Sequence, residues 1–223
     1  MPTLDRDGEV FVLNLGDTEN RFHPEWLAEV GQHLDTVGST DGPRALVTSA
    51  TGKFFSNGLD LDWLSQHANE LGGYVGAVHH LFERVLALPV PTVAALQGHT
   101  FAGGAMLSLA HDFRVMRADR GYFCLPEVDI NIPFTRGMAA LIQSRLSKKT
   151  AHEAMTTGRR YGGTDALAAG VVDAVAHEDD VFSTALEMAK SLVGKAGPTL
   201  GTIKSRMYAP ALEVLRDTSA PLD

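Results

Sequence analysis

The chain has 223 residues, of which 44% are hydrophobic and 21% are charged, and its formal net charge is −8 at pH 7. This length can bury a sizeable core as one domain, or as one domain with a helical appendage, and the composition excludes a disordered chain. The acidic balance, with no local run of Lys and Arg, excludes a nucleic-acid groove.

Three features predict the cellular location. Cys124 is the only cysteine, which excludes an internal disulfide and fits a reducing compartment. No apolar run reaches membrane-spanning length, no apolar leader opens the chain, and the last three residues, PLD, are not a peroxisomal signal. We therefore expect a cytoplasmic protein without a membrane partner.

The chain begins with a predicted strand, helix and second strand. Residues 9–15 are rich in β-forming residues, and residues 44–49 form a second short, apolar and β-branched run. Between them, apolar residues recur at helical spacing over residues 25–37, with Pro24 at the first helical position and Gly38 at the end. This order is typical of an α/β protein.

A glycine-marked loop follows the second strand. The letters KFFSNG give way to an apolar pattern, which indicates a connection to a helix with Asn57 or Asp60 as its cap. A sharper interpretation is that Asn57 and Gly58 form a tight turn. That turn would leave the N–H group of Leu59 exposed at a helix start.

A predicted helix over residues 74–88 leads to a central stretch, TVAALQGHTFAGGAMLSLAHD, at residues 92–112. The pattern predicts a strand over residues 91–96, a loop, and a helix that begins near Gly103 and Gly104. Because a helix start has unpaired N–H groups and glycine has no Cβ, Gly103 can offer a donor to a ligand oxygen. The spacing fits neither the dinucleotide fingerprint nor the phosphate loop, which indicates another ligand group. The alternative is a glycine pair that serves only a turn or close packing.

Glu127 is the candidate for acid/base chemistry. It follows two predicted strands, at residues 113–116 and 123–125, and stands among apolar neighbours in LPEVDI. Burial disfavours the ionised carboxylate, so such a setting raises its pKa toward the useful range of a general base. The alternative is an exposed turn glutamate or a helix cap.

The C-terminal part of the chain is predicted to be mostly helical. The predicted helices cover residues 136–146, 148–157, 164–169, 179–193, 198–208 and 209–216, a short strand lies within residues 171–175, and a polar tail follows.

The remaining reactive side chains give weaker signals. The nine histidines show no metal-ligand spacing with carboxylates, so we expect no metal; His99, beside the glycine loop, is the histidine we expect to line a site. Cys124 is predicted to end a buried strand, and no serine lies in a G-x-S-x-G turn. Carboxylate acid/base chemistry remains.

Three stretches together resemble the enoyl-CoA hydratase/isomerase (crotonase) superfamily. They are FFSNGLDL, ALQGHTFAGGAMLSLAHDFRVM and LPEVDI, and the resemblance extends through GTDALAAGVVDAV. It implies an α/β fold, a spiral of β-β-α units with a C-terminal helical region that mediates trimer formation. It also implies a thioester enolate held by two backbone N–H groups. On this basis we predict a core at residues 1–195 and a helical segment at residues 196–223, for trimerisation or for covering the active site.

The resemblance assigns roles to individual residues. Leu59 and Gly103 would supply the two oxyanion donors, and Glu127 would be the catalytic base. Where hydratases of the family carry a first glutamate, this chain has Met106. One-glutamate members include Δ3-Δ2-enoyl-CoA isomerases, and these motifs particularly resemble the plant and bacterial types.

The expected activity is therefore the shift of a double bond in an acyl-CoA during fatty acid β-oxidation. No cofactor is expected, because coenzyme A is part of the substrate. Three alternatives remain open: a one-glutamate hydratase, another acyl-CoA hydrolase or decarboxylase, and a catalytically silent acyl-CoA-binding trimer.

The resemblance also implies the substrate contacts and the assembly. Lys204 would contribute a phosphate contact that could reach a neighbouring subunit in a homotrimer or a dimer of trimers, although the chain is short at its C-terminus for the family. The expected substrate and coenzyme A contacts are Asn20, Arg21, Phe22, Phe55, Ser56, Asn57, Gly58, Asp60, Leu61, His99, Met106 and Lys204.

Overall fold

The computed structural model describes residues 1–217. Within them, nine strands form two sheets. In chain order these are β1 (Thr3–Asp7), β2 (Val10–Asn14), β3 (Ala45–Ser49), β4 (Phe54–Ser56), β5 (Thr92–Leu96), β6 (His99–Phe101), β7 (Phe113–Arg117), β8 (Phe123–Cys124) and β9 (Ala174–Ala176).

Ten α-helices surround the sheets in the same part of the chain. They are α1 (Pro24–Ser39), α2 (Leu61–Gln66), α3 (Leu71–Ala87), α4 (Gly103–Ala110), α5 (Arg136–Arg145), α6 (Lys148–Thr157), α7 (Gly163–Ala168), α8 (Val181–Lys190), α9 (Pro198–Met207) and α10 (Ala209–Arg216). None of the helices in this part of the chain is long and apolar enough to cross a membrane.

The two sheets are built by a repeating unit. The larger sheet has the order β1-β2-β3-β5-β7-β9 and is parallel except for the β1/β2 pair, and the smaller sheet has the parallel order β4-β6-β8. The chain passes from β3 to β4, from β5 to β6 and from β7 to β8, and each pair leads into helix. The predicted spiral of β-β-α units is confirmed.

The larger sheet is buried on both faces, which explains the continuous apolar runs of β3 and β5. On one face Val47, Val93 and Val115 pack against Val181 and Ala185 of α8. The other face contributes to the main core beneath the smaller sheet and the remaining helices. Parallel strands covered on both faces carry few polar residues, as the sequence pattern predicts.

Three strands were missed by the sequence pattern. The loops predicted before α2 and α4 contain β4 and β6, which have three residues each and pair with one another. Strand β1 is mostly exposed and pairs antiparallel with β2. Strands this short have no readable periodicity, and their pairing joins distant parts of the chain.

The C-terminal helices fold back onto their own chain. Helix α10 packs against α3 and α5, and Tyr208, Leu212 and Leu215 are buried in the main core. The division at residue 195 and its role in trimerisation stay predictions. Residues 218–223, which contain the predicted polar tail, lie outside the described residues.

Candidate active site

Glu127 lies in a cavity of about 330 Å³. Its side chain is 6% exposed, and its Oε2 atom has no hydrogen-bond partner within residues 1–217. Loss of hydration raises the pKa of this carboxyl group from 4.5 to about 7. A carboxylate of this kind accepts a proton readily near neutral pH, so the sequence interpretation of Glu127 as buried, rather than as an exposed turn residue, is correct.

A tight turn fixes the backbone around Glu127. The N–H groups of Asp129 and Ile130 both donate to the Pro126 carbonyl, at 2.9 and 3.1 Å, and Ile132 N donates to the Glu127 carbonyl at 3.1 Å. Since this turn follows β8 directly, the smaller sheet sets the position of the carboxylate.

Two free N–H groups belong to loops that touch each other. Gly58 has φ of +78°, and a Cβ built on it would lie 2.5 Å from the Gly103 nitrogen. Only glycine permits both the turn and this approach. The N–H groups of Leu59 and Gly103 donate to no acceptor within residues 1–217. A thioester oxygen placed between these loops would meet two unsatisfied donors, which is the arrangement of an oxyanion hole.

The residue before Gly103 has a strained backbone. Ala102 has φ of 49° and ψ of −124°, a backbone conformation that favours glycine. An alanine held in it carries a strain energy of about 1–3 kcal/mol. Its N–H donates to the Cys124 carbonyl at 3.0 Å, so the smaller sheet holds it on one side. This kink turns the chain from β6 into α4 and leaves the first N–H of the helix free.

Several predicted substrate contacts instead support the loop behind the cavity. Asn20 donates to the Phe55 carbonyl at 3.0 Å, Ser56 donates to the Asn20 carbonyl at 2.8 Å, and Phe22 N donates to the Gly58 carbonyl at 2.8 Å. These four side chains, of Asn20, Phe22, Phe55 and Ser56, are at most 3% exposed. They are buried in the packing that fixes Gly58, and their contact with substrate stays a prediction.

Met106 and aliphatic side chains complete the cavity wall. Met106 is fully buried and lines the same cavity as Glu127. The cavity's other carboxylate, Asp62, is exposed at the rim. Within the described residues, Glu127 is therefore the one buried carboxylate that the cavity contains.

Charged residues surround the mouth of the cavity. Arg21 pairs with Asp62 and with Glu19, the latter at 2.5 Å, and lies 3.8 Å from Asp60. The hydrogen bond that Arg21 donates to Asp62 contributes most to the raised pKa of Arg21. Asp60 accepts a hydrogen bond from Trp63 N at 3.1 Å, which confirms it as the cap of α2. Arg21 thus lines the cavity, and a substrate phosphate would compete with the carboxylates of Asp62 and Glu19 for its guanidinium group.

Asn57 and Leu61 also line this cavity, as predicted. Four further residues line it without any signal in the sequence: Phe101, Ile130, Ile132 and Met138. Met138 comes from α5, and only the packing of α5 against α4 brings it there.

Two predicted contacts lie elsewhere. His99 lines a separate cavity of about 300 Å³ beside Tyr122, with ring centroids 5.7 Å apart. Lys204 is 4% exposed, and its ammonium group donates to the Val90 carbonyl at 2.9 Å and lies 2.6 Å from Asp112 Oδ2. Neither side chain lines the cavity with Glu127, because Phe101 stands between His99 and that cavity and Lys204 is buried in its own ion pair. Their contacts with substrate stay predictions.

Comparisons with known proteins agree with this geometry. A family model described as enoyl-CoA hydratase/isomerase matches residues 6–220. Enoyl-CoA delta isomerase 3 of Arabidopsis thaliana is 38% identical over 93% of this chain and 92% of its own length. A putative enoyl-CoA hydratase of Thermus thermophilus is 37% identical over 91% of this chain and 81% of its own length. An apo structure of a Mycobacterium tuberculosis enoyl-CoA isomerase superposes with a TM-score of 0.90 and 27% identity, covering 97% of this chain and 95% of that one.

Proposed function

The chain belongs to the enoyl-CoA hydratase/isomerase family, and we propose that it is a Δ3-Δ2-enoyl-CoA isomerase of fatty acid β-oxidation. One observation carries the choice of reaction: among residues 1–217 the cavity holds one buried carboxylate, Glu127, whose Oε2 atom has no partner there, and the fully buried Met106 also lines it. One base that can take up and return a proton suffices for moving a double bond within the substrate.

The proposed reaction uses one proton shuttle. The Glu127 carboxylate removes a proton from C2 of a 3-enoyl thioester, and the electron pair spreads over the dienolate. The N–H groups of Leu59 and Gly103 stabilise the negative charge on the thioester oxygen. Glu127 then returns the proton to C4, so that the double bond lies between C2 and C3. The atoms balance without a cofactor.

Hydration is the weaker candidate for a physical reason. Adding water across a 2-enoyl thioester requires the water to be oriented and deprotonated, and a second carboxylate helps both steps. The thioether of Met106 is apolar and can do neither. The Met106 side chain instead excludes water from the cavity, and this protects the dienolate intermediate from side reactions.

The test compares two substrates. Incubation with 3-hexenoyl-CoA should produce the absorbance of a conjugated enoyl thioester, whereas crotonyl-CoA should lose its absorbance far more slowly. Faster loss from crotonyl-CoA would make the protein a hydratase. Release of free coenzyme A would indicate a hydrolase, and acyl-CoA binding without any turnover would indicate a silent binding protein.

A variant sharpens this test. Met106→Glu places a second carboxylate in the cavity, where repulsion from Glu127 raises the pKa of one of the pair. We expect weak hydration to appear and isomerisation to fall. The matched control is Leu167→Glu on the exposed face of α7, outside the cavity, which should change neither activity.

The assembly and location are further proposals. Ile203 and Met207 of α9 are 50% and 63% exposed, which supports an apolar contact between copies in a homotrimer or a dimer of trimers. Sedimentation should give a mass of three or six chains. A cytoplasmic location is supported by the single cysteine, and cell fractionation tests it.

A further inference from the structure

The two ends of α4 differ in how they are held. Its first residue, Gly103, carries the free N–H group that faces the cavity loop. Beyond its last residue, Ala110, side chains from several other elements bind the chain. Because α4 has only eight residues, a shift at one end moves the other.

Arg145 of α5 makes the most contacts at this far end. Its Nε donates to the Leu109 carbonyl at 2.8 Å, and one terminal nitrogen donates to the carbonyls of His111 and Asp112 at 2.8 and 2.9 Å. The other terminal nitrogen donates to the Tyr208 hydroxyl. A planar guanidinium group can satisfy all of these acceptors together, whereas a lysine ammonium cannot adopt this fork.

Other elements fasten the same segment. His111 donates from Nδ1 to the Leu107 carbonyl at 2.9 Å and accepts at Nε2 from Thr48 of β3 at 2.8 Å. Asp112 accepts from Thr92 N of β5 at 2.8 Å and pairs with Lys204 of α9. The C-terminal end of α4 is therefore tied to β3, β5, α5 and α9.

The strain at Ala102 gives this fastening a functional consequence. A strained backbone conformation persists only where the surrounding structure holds both of its flanks. On the flank toward β6, the Ala102 N–H donates to the Cys124 carbonyl. The other flank of Ala102 is held by α4, which begins at the next residue. If α4 is free to shift, Ala102 can relax, and the Gly103 N–H then turns from its place beside Gly58.

We propose that Arg145 is a positioning residue for the oxyanion hole, acting through α4 to aim the Gly103 N–H at the thioester oxygen. This inference rests on the proposed function, because it names a residue that orients a donor of that site. Arg145 is outside the residues that line the cavity with Glu127, so it touches no substrate.

The test uses Arg145→Lys, which keeps the charge and loses the fork. We expect kcat for 3-hexenoyl-CoA to fall about tenfold, since small displacements of a catalytic group are costly, while KM changes less than twofold. The infrared carbonyl band of bound butanoyl-CoA should shift toward its frequency in solution, because a misaimed donor polarises the thioester less.

The matched control is Arg84→Lys. Arg84 also donates to a helix carbonyl, that of Gly31 at 2.9 Å, and pairs with Asp35, but it joins α1 to α3. Arg84→Lys should leave both kcat and the infrared carbonyl band unchanged. Ala102→Gly in the Arg145→Lys background should restore part of kcat, because glycine holds the same kink without strain.

Three results overturn the proposal: an unchanged carbonyl band in folded Arg145→Lys, the same loss of kcat in Arg84→Lys, or no rescue by Ala102→Gly. If Arg145→Lys does not fold, Tyr208→Phe, which removes one contact of Arg145, must show a smaller band shift in the same direction. The infrared band needs binding but no turnover. It therefore separates a failure of this inference from a failure of the isomerase assignment, which only the enoyl substrates report.

Discussion

A groove between α1 and α3 and the smaller cavity with Glu127 show what makes a site reactive. The groove between α1 and α3 has a volume of about 710 Å³, against about 330 Å³ around Glu127. Two of its polar side chains have partners: Arg84 lies 2.5 Å from Asp35, and His80 lies 3.2 Å from Glu83. None of the buried side-chain atoms without a partner in residues 1–217 belongs to the groove lining.

The smaller cavity instead contains groups that the fold leaves unsatisfied. Glu127 Oε2 is buried without a partner, and the N–H groups of Leu59 and Gly103 donate to nothing in residues 1–217. Each such group costs free energy of folding, about 1–3 kcal/mol for an unpaired buried polar atom. Between these two cavities, the unsatisfied donors and acceptor, and not the volume, distinguish the one that contains the proposed base.

The largest expected effect is that of Glu127→Gln. The amide keeps the volume and loses the proton acceptor, so kcat for 3-hexenoyl-CoA should fall by about three orders of magnitude while the Kd for butanoyl-CoA changes little. The exposed Glu187→Gln on α8 is the control and should behave as the parent. Activity of Glu127→Gln within a few-fold of the parent would exclude this residue as the base.

Gly103→Ala should have the next largest effect. An added Cβ would lie 2.9 Å from Leu59 Cδ1 and 3.0 Å from Phe22 Cε2, so the two loops must separate. We expect kcat to fall about a hundredfold, close to the 3 kcal/mol lost with one oxyanion donor, and the melting temperature to fall as well. Gly137→Ala is a control for overpacking alone, since its Cβ would lie 3.0 Å from His79 Cε1. It should lower the melting temperature and leave kcat unchanged; parental kcat in folded Gly103→Ala would contradict the donor assignment.

The pH dependence tests the burial of Glu127. The base must be ionised, so kcat/KM should rise with pH and reach a plateau above the folded pKa of about 7. Stability should change in the opposite direction. The folded pKa lies above the ordinary value of 4.5, so the folded state holds the proton more tightly, and this stability is present below pH 4.5 and lost as pH rises through 7.

The same linkage predicts a difference between the parent and Glu127→Gln. Between pH 5 and pH 8 the parent should lose about 2–3 kcal/mol of unfolding free energy that the glutamine variant keeps. Denaturant titration at both pH values measures it. Parallel losses in the two proteins would show that Glu127 is hydrated in the folded state.

The smallest expected effect belongs to the larger groove. Gly73 lies on α3 in the groove lining, and a Cβ there would meet nothing within 4 Å. Gly73→Ala should stabilise the protein by about 0.5–1 kcal/mol through helix propensity and leave kcat and KM unchanged. A change in kcat would show that the groove takes part in catalysis and would remove the contrast between the two cavities.

Prediction from the sequence succeeded where a signal is local. The apolar runs of β3 and β5 and the amphipathic pattern of α1 correspond to elements within one or two residues. Asp60 was predicted as a cap from its place before an apolar pattern. Prediction failed for β4 and β6, which have three residues each and form strands by pairing with distant segments: Phe54 of β4 pairs with His99 of β6, and β6 also pairs with β8.

The site divides in the same way. The sequence alone indicated Glu127, Leu59 and Gly103, because each signal comes from residues next to it in the chain. Glu127 stands among apolar residues, and the two N–H donors stand beside glycines at predicted helix starts. It did not show that the Asn20 and Ser56 side chains support the Gly58 loop, that His99 and Lys204 lie outside the Glu127 cavity, or that Met138 lines it. Whether a side chain faces a cavity, supports a loop or pairs with a distant carboxylate depends on which elements pack together. Only the tertiary structure decided that Lys204 pairs with Asp112 and that the loops of Gly58 and Gly103 touch, because those contacts join residues that are far apart in the chain.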